Sequence, residues 1–539
     1  MMKNIYRGRE MSVISYLFIA FLICTLIIYY IMPGKFQWIV LLGASLVFYG
    51  YAGIKYMLLV VTEAMIVYLF SLRMQKSLDE QEILARDADR RTARKIKNTE
   101  KAKRKKYLVA ALFIVITLLV IFKALGFLVE NIKRFVPIDR IQDIPDFKLV
   151  APLGISFYTF MIISYLVDLY NGRISAQRNF LKYLTYVMYF PHVTQGPIAR
   201  YEEVGHQLWE HHRFNSDVIM RGVWLIIWGA FKKMVIADRI SAFTTEIFGD
   251  VFSYKGMIFW AVGIAYSIQI YCDFSGCMDI MRGASECFGI VLGENFRRPY
   301  FSQTLPEFWR RWHISLGAFF REYVFYPVST SKLFLKLNVK IRDHIGNVVG
   351  RVFAASIPIL CVWILTGLWH GAVWNYIAWG LYHGILICMS TLFEQPLDRL
   401  MHRLKIRTEC VSWQIFRMLR TFVLCVIGRL IFMGQGIGSS IWMIRSGFTD
   451  WGKVYDLVGD FTLAQGEWSV ILISCIVLLA VSIAQEILER RGTGEDIRGW
   501  LMRQNVWFKW LVMVVGISSI VICGVYGSGA TRAFIYEQF

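Results

Sequence analysis

Charge is what this chain has little of. Only 18% of its 539 residues are Asp, Glu, Lys or Arg, where soluble domains carry about a quarter. The hydrophobic fraction is 56% and the aromatic fraction 16%, with a mean hydropathy of +0.47. That balance excludes an ordinary soluble domain and places the chain among polytopic membrane proteins. The ten cysteines form no CxxC pair, so neither disulfides nor zinc are expected. Most of them, such as Cys24, Cys361, Cys388, Cys475 and Cys523, sit inside apolar runs, where a free thiol acts as a small hydrophobe. No nucleotide-binding glycine loop, HExxH or GxSxG is present. Internal repeats and low-complexity linkers are missing as well. No cleavable signal peptide is expected, because the first apolar run lacks a small-residue cleavage site and leads into further runs. Met11, after the extension Met1–Glu10, is a candidate second start.

What is present is a series of apolar runs. A helix of about 20 apolar residues crosses a bilayer, because lipid offers no partner for open backbone groups. Such runs lie at 12–32, 36–53, 54–72, 107–128, 151–170, 218–237, 256–272, 352–369, 373–392, 413–434, 469–487 and 506–527. Shorter ones near 181–193 and 312–328 are expected to be re-entrant or interfacial. The fold class is therefore all-α, with about eleven to thirteen transmembrane or re-entrant helices in one membrane domain over 1–539.

The net charge is 59 − 39 = +20. Much of it comes from Arg73–Lys106, with 13 Lys/Arg against 6 Asp/Glu. The positive-inside rule makes that loop cytoplasmic, near anionic headgroups; no nucleic-acid partner is expected. Three crossings before it would leave the N-terminus outside, against which Lys3, Arg7 and Arg9 argue mildly.

Residues 150–390 are dense in Gly, Pro, Trp, His and charge at membrane depth, and polarity there marks substrate paths or catalysis. In PEFWRRWHIS (306–315), a continuous helix puts Trp309, His313, Leu316 and Phe320 on one face. Glu307 and Arg311 then pair at i, i+4 beside Arg310. In LTGLWHGAVWNYIAWGLYHG (365–384), His370 lies between two apolar runs, with Asn375 and His383 beyond it. Gly367/Gly371 and Gly380/Gly384 allow close helix approach. An imidazole at that depth is either a packed, hydrogen-bonded side chain or a general base. Asp273, Asp279 and Arg282 in YCDFSGCMDIMRG (271–283) read as a structural ion pair, Asp279 with Arg282, or a helix-end cap. YFPHVTQGPIARY (189–201) reads as a broken segment with a structural His192.

The motifs PLGISFYTFMIISYLVDLYNG (152–172), GPIARY (196–201), DFSGCMD (273–279), NFRRPYFSQTLPEFWRRWHISLGAFFREYVFYP (295–327) and LWHGAVWNYIAWGLYHG (368–384) resemble the membrane-bound O-acyltransferase superfamily. The likeness covers roughly 107–390. It is strongest to the bacterial alginate O-acetyltransferase branch, which neighbours the D-alanyl transferases of teichoic acid. It implies a ring of helices around a funnel, with a thioester donor entering from the cytoplasm and a glycan hydroxyl from outside. His370 corresponds to the family's near-invariant histidine and His313 to its second. The chemistry would be base-assisted attack of a hydroxyl on a thioester carbonyl. Trp309, Arg310, Arg311 or Asn375 would contact the donor or the oxyanion. The donor implied is acetyl-CoA, with no bound cofactor and no metal. The acceptor implied is an extracellular polysaccharide or cell-wall glycan, reached through a secreted or membrane-anchored esterase-like partner. The place is the bacterial cell membrane. The terminal AFIYEQF (533–539) is similar to an aromatic family ending whose tyrosine is proposed to carry the acyl group, which makes Tyr536 a candidate carrier. Glu537 departs from that ending, as YPVSTSK (326–332) departs from a glycine-rich turn. The rival readings are D-alanyl transfer from a carrier protein and a non-enzymatic transporter. The latter predicts inverted repeats, which the sequence lacks.

Overall fold

The computed structural model describes residues 11–135, 149–449, 463–492 and 496–526. All regular structure among them is helical; one isolated antiparallel bridge joins Phe296 to Trp312. The helices are α1 Tyr16–Ile31, α2 Gln37–Ala52, α3 Ile54–Arg86, α4 Arg90–Lys123, α5 Leu125–Phe135, α6 Ile155–Tyr170, α7 Phe180–Met188, α8 Tyr201–Trp209, α9 Ser216–Ala230, α10 Asp238–Gly249 and α11 Ile258–Cys287. There follow α12 Leu305–Arg311, α13 Ile314–Phe320, α14 Lys332–Ile345, α15 Asn347–His370, α16 Trp374–Arg403, α17 Val411–Met433, α18 Ile437–Thr449, α19 Gln465–Arg490 and α20 Val506–Cys523. Six of the described helices are long and apolar enough to cross a membrane: α3, α4, α15 from Val352, α16, α19 from Gly466, and α20. α1 and α6 are shorter apolar helices. The other expected crossings are also helical, but they are short or polar. α17 carries Arg417, Arg420 and Arg429, and α11 carries Asp273, Asp279, Arg282 and Glu286.

The chain forms two compact units, 1–226 with 280–293, and 227–279 with 294–539. In the first, the basic stretch is helical on both sides of a three-residue turn. The Asp89 carboxylate caps α4 by accepting from the amides of Arg91 and Thr92, satisfying two of the donors a helix start leaves open. Glu100 is buried in the α3–α4 seam, where Ser77 and Lys103 reach it at 2.8 and 2.6 Å. His192 is buried with Nε2 2.6 Å from the Tyr186 carbonyl, and its ring packs edge-on to Tyr186 and Tyr189. The chain breaks there as expected, and the histidine serves packing.

In the second unit the expected run 218–237 does not continue as one α-helix. α9 ends at Ala230 and Phe231–Ala237 widens into a π-turn, a device that re-aims side chains. It buries Lys232 and Lys233. Lys232 donates to Asp279 at 2.6 Å and Ser275 at 2.9 Å. Lys233 meets Asp238 at 2.9 Å and also pairs with Asp273. Asp273 and Asp279 thus belong to a buried charge network whose cations the sequence reading passed over. Arg282 Nε, for its part, donates to the Leu292 carbonyl.

Candidate functional site

His370 is the last residue of α15, and the α15–α16 hairpin that follows is unusually close. A Cβ on Gly367 would overlap the Tyr376 carbonyl, and one on Gly380 would overlap the Trp363 carbonyl. The expected small-residue contact is therefore present, and it lets α15 and α16 touch through backbone. That approach packs buried His370 among rings. Its centroid lies 4.6 Å from Trp369, 5.0 Å from Trp379 and 5.2 Å from Phe432. Tyr376, Trp379 and His383 recur at helical spacing on α16, so one face of that helix supplies half of the box. Phe432 comes from α17.

The stretch 305–320 is not the continuous helix expected from its sequence. α12 ends at Arg311, Trp312 is extended, and His313 has a left-handed backbone, φ 48° and ψ 56°. The single face shared by Trp309, His313 and Phe320 is thereby corrected. The segment 295–297 crosses the break and bonds to it. Arg297 N–H donates to the Arg311 carbonyl at 2.9 Å, and Ile314 N–H to the Asn295 carbonyl at 3.0 Å. Broken in this way, the segment aims two side chains at different walls. Trp309 packs on Trp363 at 4.7 Å and His383 at 4.9 Å. His313 packs on Phe274 at 4.8 Å and Trp369 at 5.7 Å. Trp369 thus touches both His313 and His370, 57 residues apart in the chain.

Arginines beside the box are paired with glutamates. Arg311 pairs with Glu307 at 2.9 Å, as the i, i+4 spacing predicts, and with Glu486 at 3.4 Å. Glu486 also receives Arg298 at 2.8 Å. Arg310 is exposed. Asn375 is buried, and its amide donates to the Gly434 carbonyl, which ties the start of α16 to the end of α17. Inside the box, Trp309 Nε1, Trp379 Nε1 and His383 Nδ1 are buried and meet no hydrogen-bond partner among the described residues. Such groups call for a partner from outside the chain.

A cavity of about 150 Å³ lies between Ile268, Tyr271, Arg298, Tyr300, Leu478 and Ser482. Neither His313 nor His370 lines it. Tyr271 and Tyr300 separate it from Trp312, with centroids 6.3 and 6.4 Å away. Tyr536 lies outside the described residues.

The sequence reading assigned no role to His383, the lysine pair or Asn295. His383 was visible as the i+4 partner of Trp379, and Lys232–Lys233 as two cations inside an apolar run. Nothing local distinguishes Asn295, which acts across 20 residues of chain.

The chemistry available here is that of two buried imidazoles joined by an indole, with two unpartnered indole N–H groups and the buried Arg429 guanidinium close by, over the Trp312 ring. Comparison with known proteins gives the family. Residues 140–340 match the family model for MBOAT, the membrane-bound O-acyltransferase family. That stretch contains His313 and ends before His370. A probable alginate O-acetylase of Pseudomonas aeruginosa is 30% identical over 411 residues, which is 76% of this chain and 69% of the relative. A peptidoglycan O-acetyltransferase of Helicobacter pylori is 29% identical over 66% of this chain and 64% of its own. A teichoic acid D-alanyltransferase of Bacillus subtilis is 29% identical over 47% of this chain and 62% of its own.

Proposed function

Because the chain belongs to the membrane-bound O-acyltransferase family, we propose that it moves an acetyl group from a cytoplasmic thioester, acetyl-CoA, toward a hydroxyl of an extracellular polysaccharide or cell-wall glycan. The observation that carries this reading is the aromatic box in which His370 and His313 both pack against Trp369. His370 is the general base. Its imidazole takes the hydroxyl proton as the oxygen attacks the thioester carbonyl, and a tetrahedral oxyanion forms. The C–S bond then breaks, and the leaving thiolate takes the proton back from the imidazolium. The indole N–H groups of Trp309 and Trp379 are open donors in the box and suit the oxyanion. His313 orients the donor or steadies that charge. A box of rings keeps water from the thioester. Exposed Arg310 is available to the donor's phosphates, while Arg311 is held by two glutamates. Completion of transfer by an esterase-like partner outside the membrane, and a carrier role for Tyr536, extend the same proposal.

The greater extent of likeness to the alginate relative favours acetyl over D-alanyl transfer. The test is the O-acetyl content of the polymer in cells carrying His370→Ala at equal expression. A fall of about 10²–10⁴-fold in the transfer rate is expected for loss of a general base. Unchanged acetylation overturns the assignment.

A further inference from the structure

We infer that Asn295 is a positioning residue for the His313 imidazole, capping α13 in its place so that the ring packs toward Trp369. The inference rests on the proposed role of His313.

A helix leaves its first amides without intrahelical partners. The residue at the N-cap normally supplies the missing acceptor from its own side chain, with an extended backbone. His313 holds the N-cap of α13 and does neither. Its backbone is left-handed, and its side chain makes no capping bond. That conformation is uncommon outside glycine, although asparagine, aspartate and histidine adopt it more often than other residues. The acceptors come from Asn295. Its carbonyl receives Ile314 N–H at 3.0 Å, and its Oδ1 receives Ser315 N–H at 2.8 Å. The first two amides of the helix are satisfied by one residue on another segment. The far side of the Asn295 amide is fixed as well, with Nδ2 3.2 Å from Met278 Sδ on α11. Asn295 is almost completely buried. The flanking contacts lock the register: Phe296 bridges Trp312, and Arg297 N–H closes on the Arg311 carbonyl.

The consequence is directional. With Asn295 in place, the His313 ring turns away from its own helix and packs between Phe274 and Trp369. Without the side-chain acceptor, the half-buried Ser315 amide of the first turn is left open. The nearest replacement is the cap residue's own side chain, which draws the imidazole back toward the helix and away from Trp369. Asn295 touches neither reactant in this scheme; it acts through His313.

The experiment compares Asn295→Ala, Asn295→Asp, His313→Ala and wild type as full-length protein in lipid nanodiscs, with acetyl-CoA and a hydroxyl acceptor. Asn295→Asp keeps the acceptor at Oδ1, next to the positive end of α13. Expected is a fall of at least tenfold in kcat for Asn295→Ala, with KM for acetyl-CoA within about threefold, and recovery of most of that loss in Asn295→Asp. Equal activity of Asn295→Ala and wild type overturns the inference, as does an equal loss in the Ala and Asp variants. If His313→Ala itself transfers at the wild-type rate, the proposed role of His313 fails instead. The two failures are therefore distinguishable.

Discussion

His370 is placed by two constraints that meet at one residue. It ends a membrane-spanning helix, and three aromatic rings hold its imidazole within about 5 Å. The lysine pair in the π-turn poses a different problem. Lys233 is buried between Asp238 and Asp273. Removing one partner of a buried ion pair leaves a charge without compensation and costs about 3–5 kcal/mol. Lys233→Met is thus expected to lower thermal stability in detergent sharply, while Arg310→Gln, at an exposed side chain, leaves it unchanged. A melting series on the purified variants checks both. At this scale the sequence was informative about residue types and poor about partners. The sequence offers Asp279 its i, i+3 neighbour Arg282 and gives no sign of Lys232. Lys232 is 47 residues away, and only the fold brings it there.

Between helices, the closest joint is α15 with α16. Gly367 and Gly380 each face a carbonyl of the opposite helix, with no room for a side chain. Association of helices in lipid depends on this kind of close packing, since apolar burial gives no net drive there. Gly380→Val forces the helices apart; overpacking costs about 1–3 kcal/mol. The expected outcome is a lower midpoint of unfolding together with lost transfer, because the box around His370 opens. Normal melting and normal transfer in this variant would show that the joint tolerates separation. The broken helix at 311–314 teaches the converse. Its sequence has a clean helical period, and the period is misleading. The break is imposed by backbone bonds from 295–297 that no local pattern announces. Glycine spacing at the hairpin, by contrast, was legible, because close approach depends on what those residues lack.

At the scale of the whole molecule, the proposed function requires two faces: a thioester arriving on one and a hydroxyl on the other. The apolar runs, the basic stretch and the motif order were enough to place the chain in its class and family. The polar histidines stood out because polarity is costly at membrane depth. Which side each reactant uses follows from the basic α3–α4 hairpin, if the positive-inside rule holds. A cysteine placed at exposed Arg91, in a background with its native cysteines replaced, is expected to escape a membrane-impermeant maleimide in intact cells and to react in inside-out vesicles. Labelling in intact cells would reverse the assigned direction of transfer.

The most direct test is acceptor-dependent release of CoA thiol by the purified protein in nanodiscs, with labelled acetyl-CoA or a D-alanyl-charged carrier protein as donor. The account predicts that acetyl-CoA is consumed and the label passes to the hydroxyl acceptor. The rate for His370→Ala should be lower by about 10²–10⁴-fold. Consumption of the charged carrier protein alone, or equal rates for His370→Ala and wild type, would contradict it.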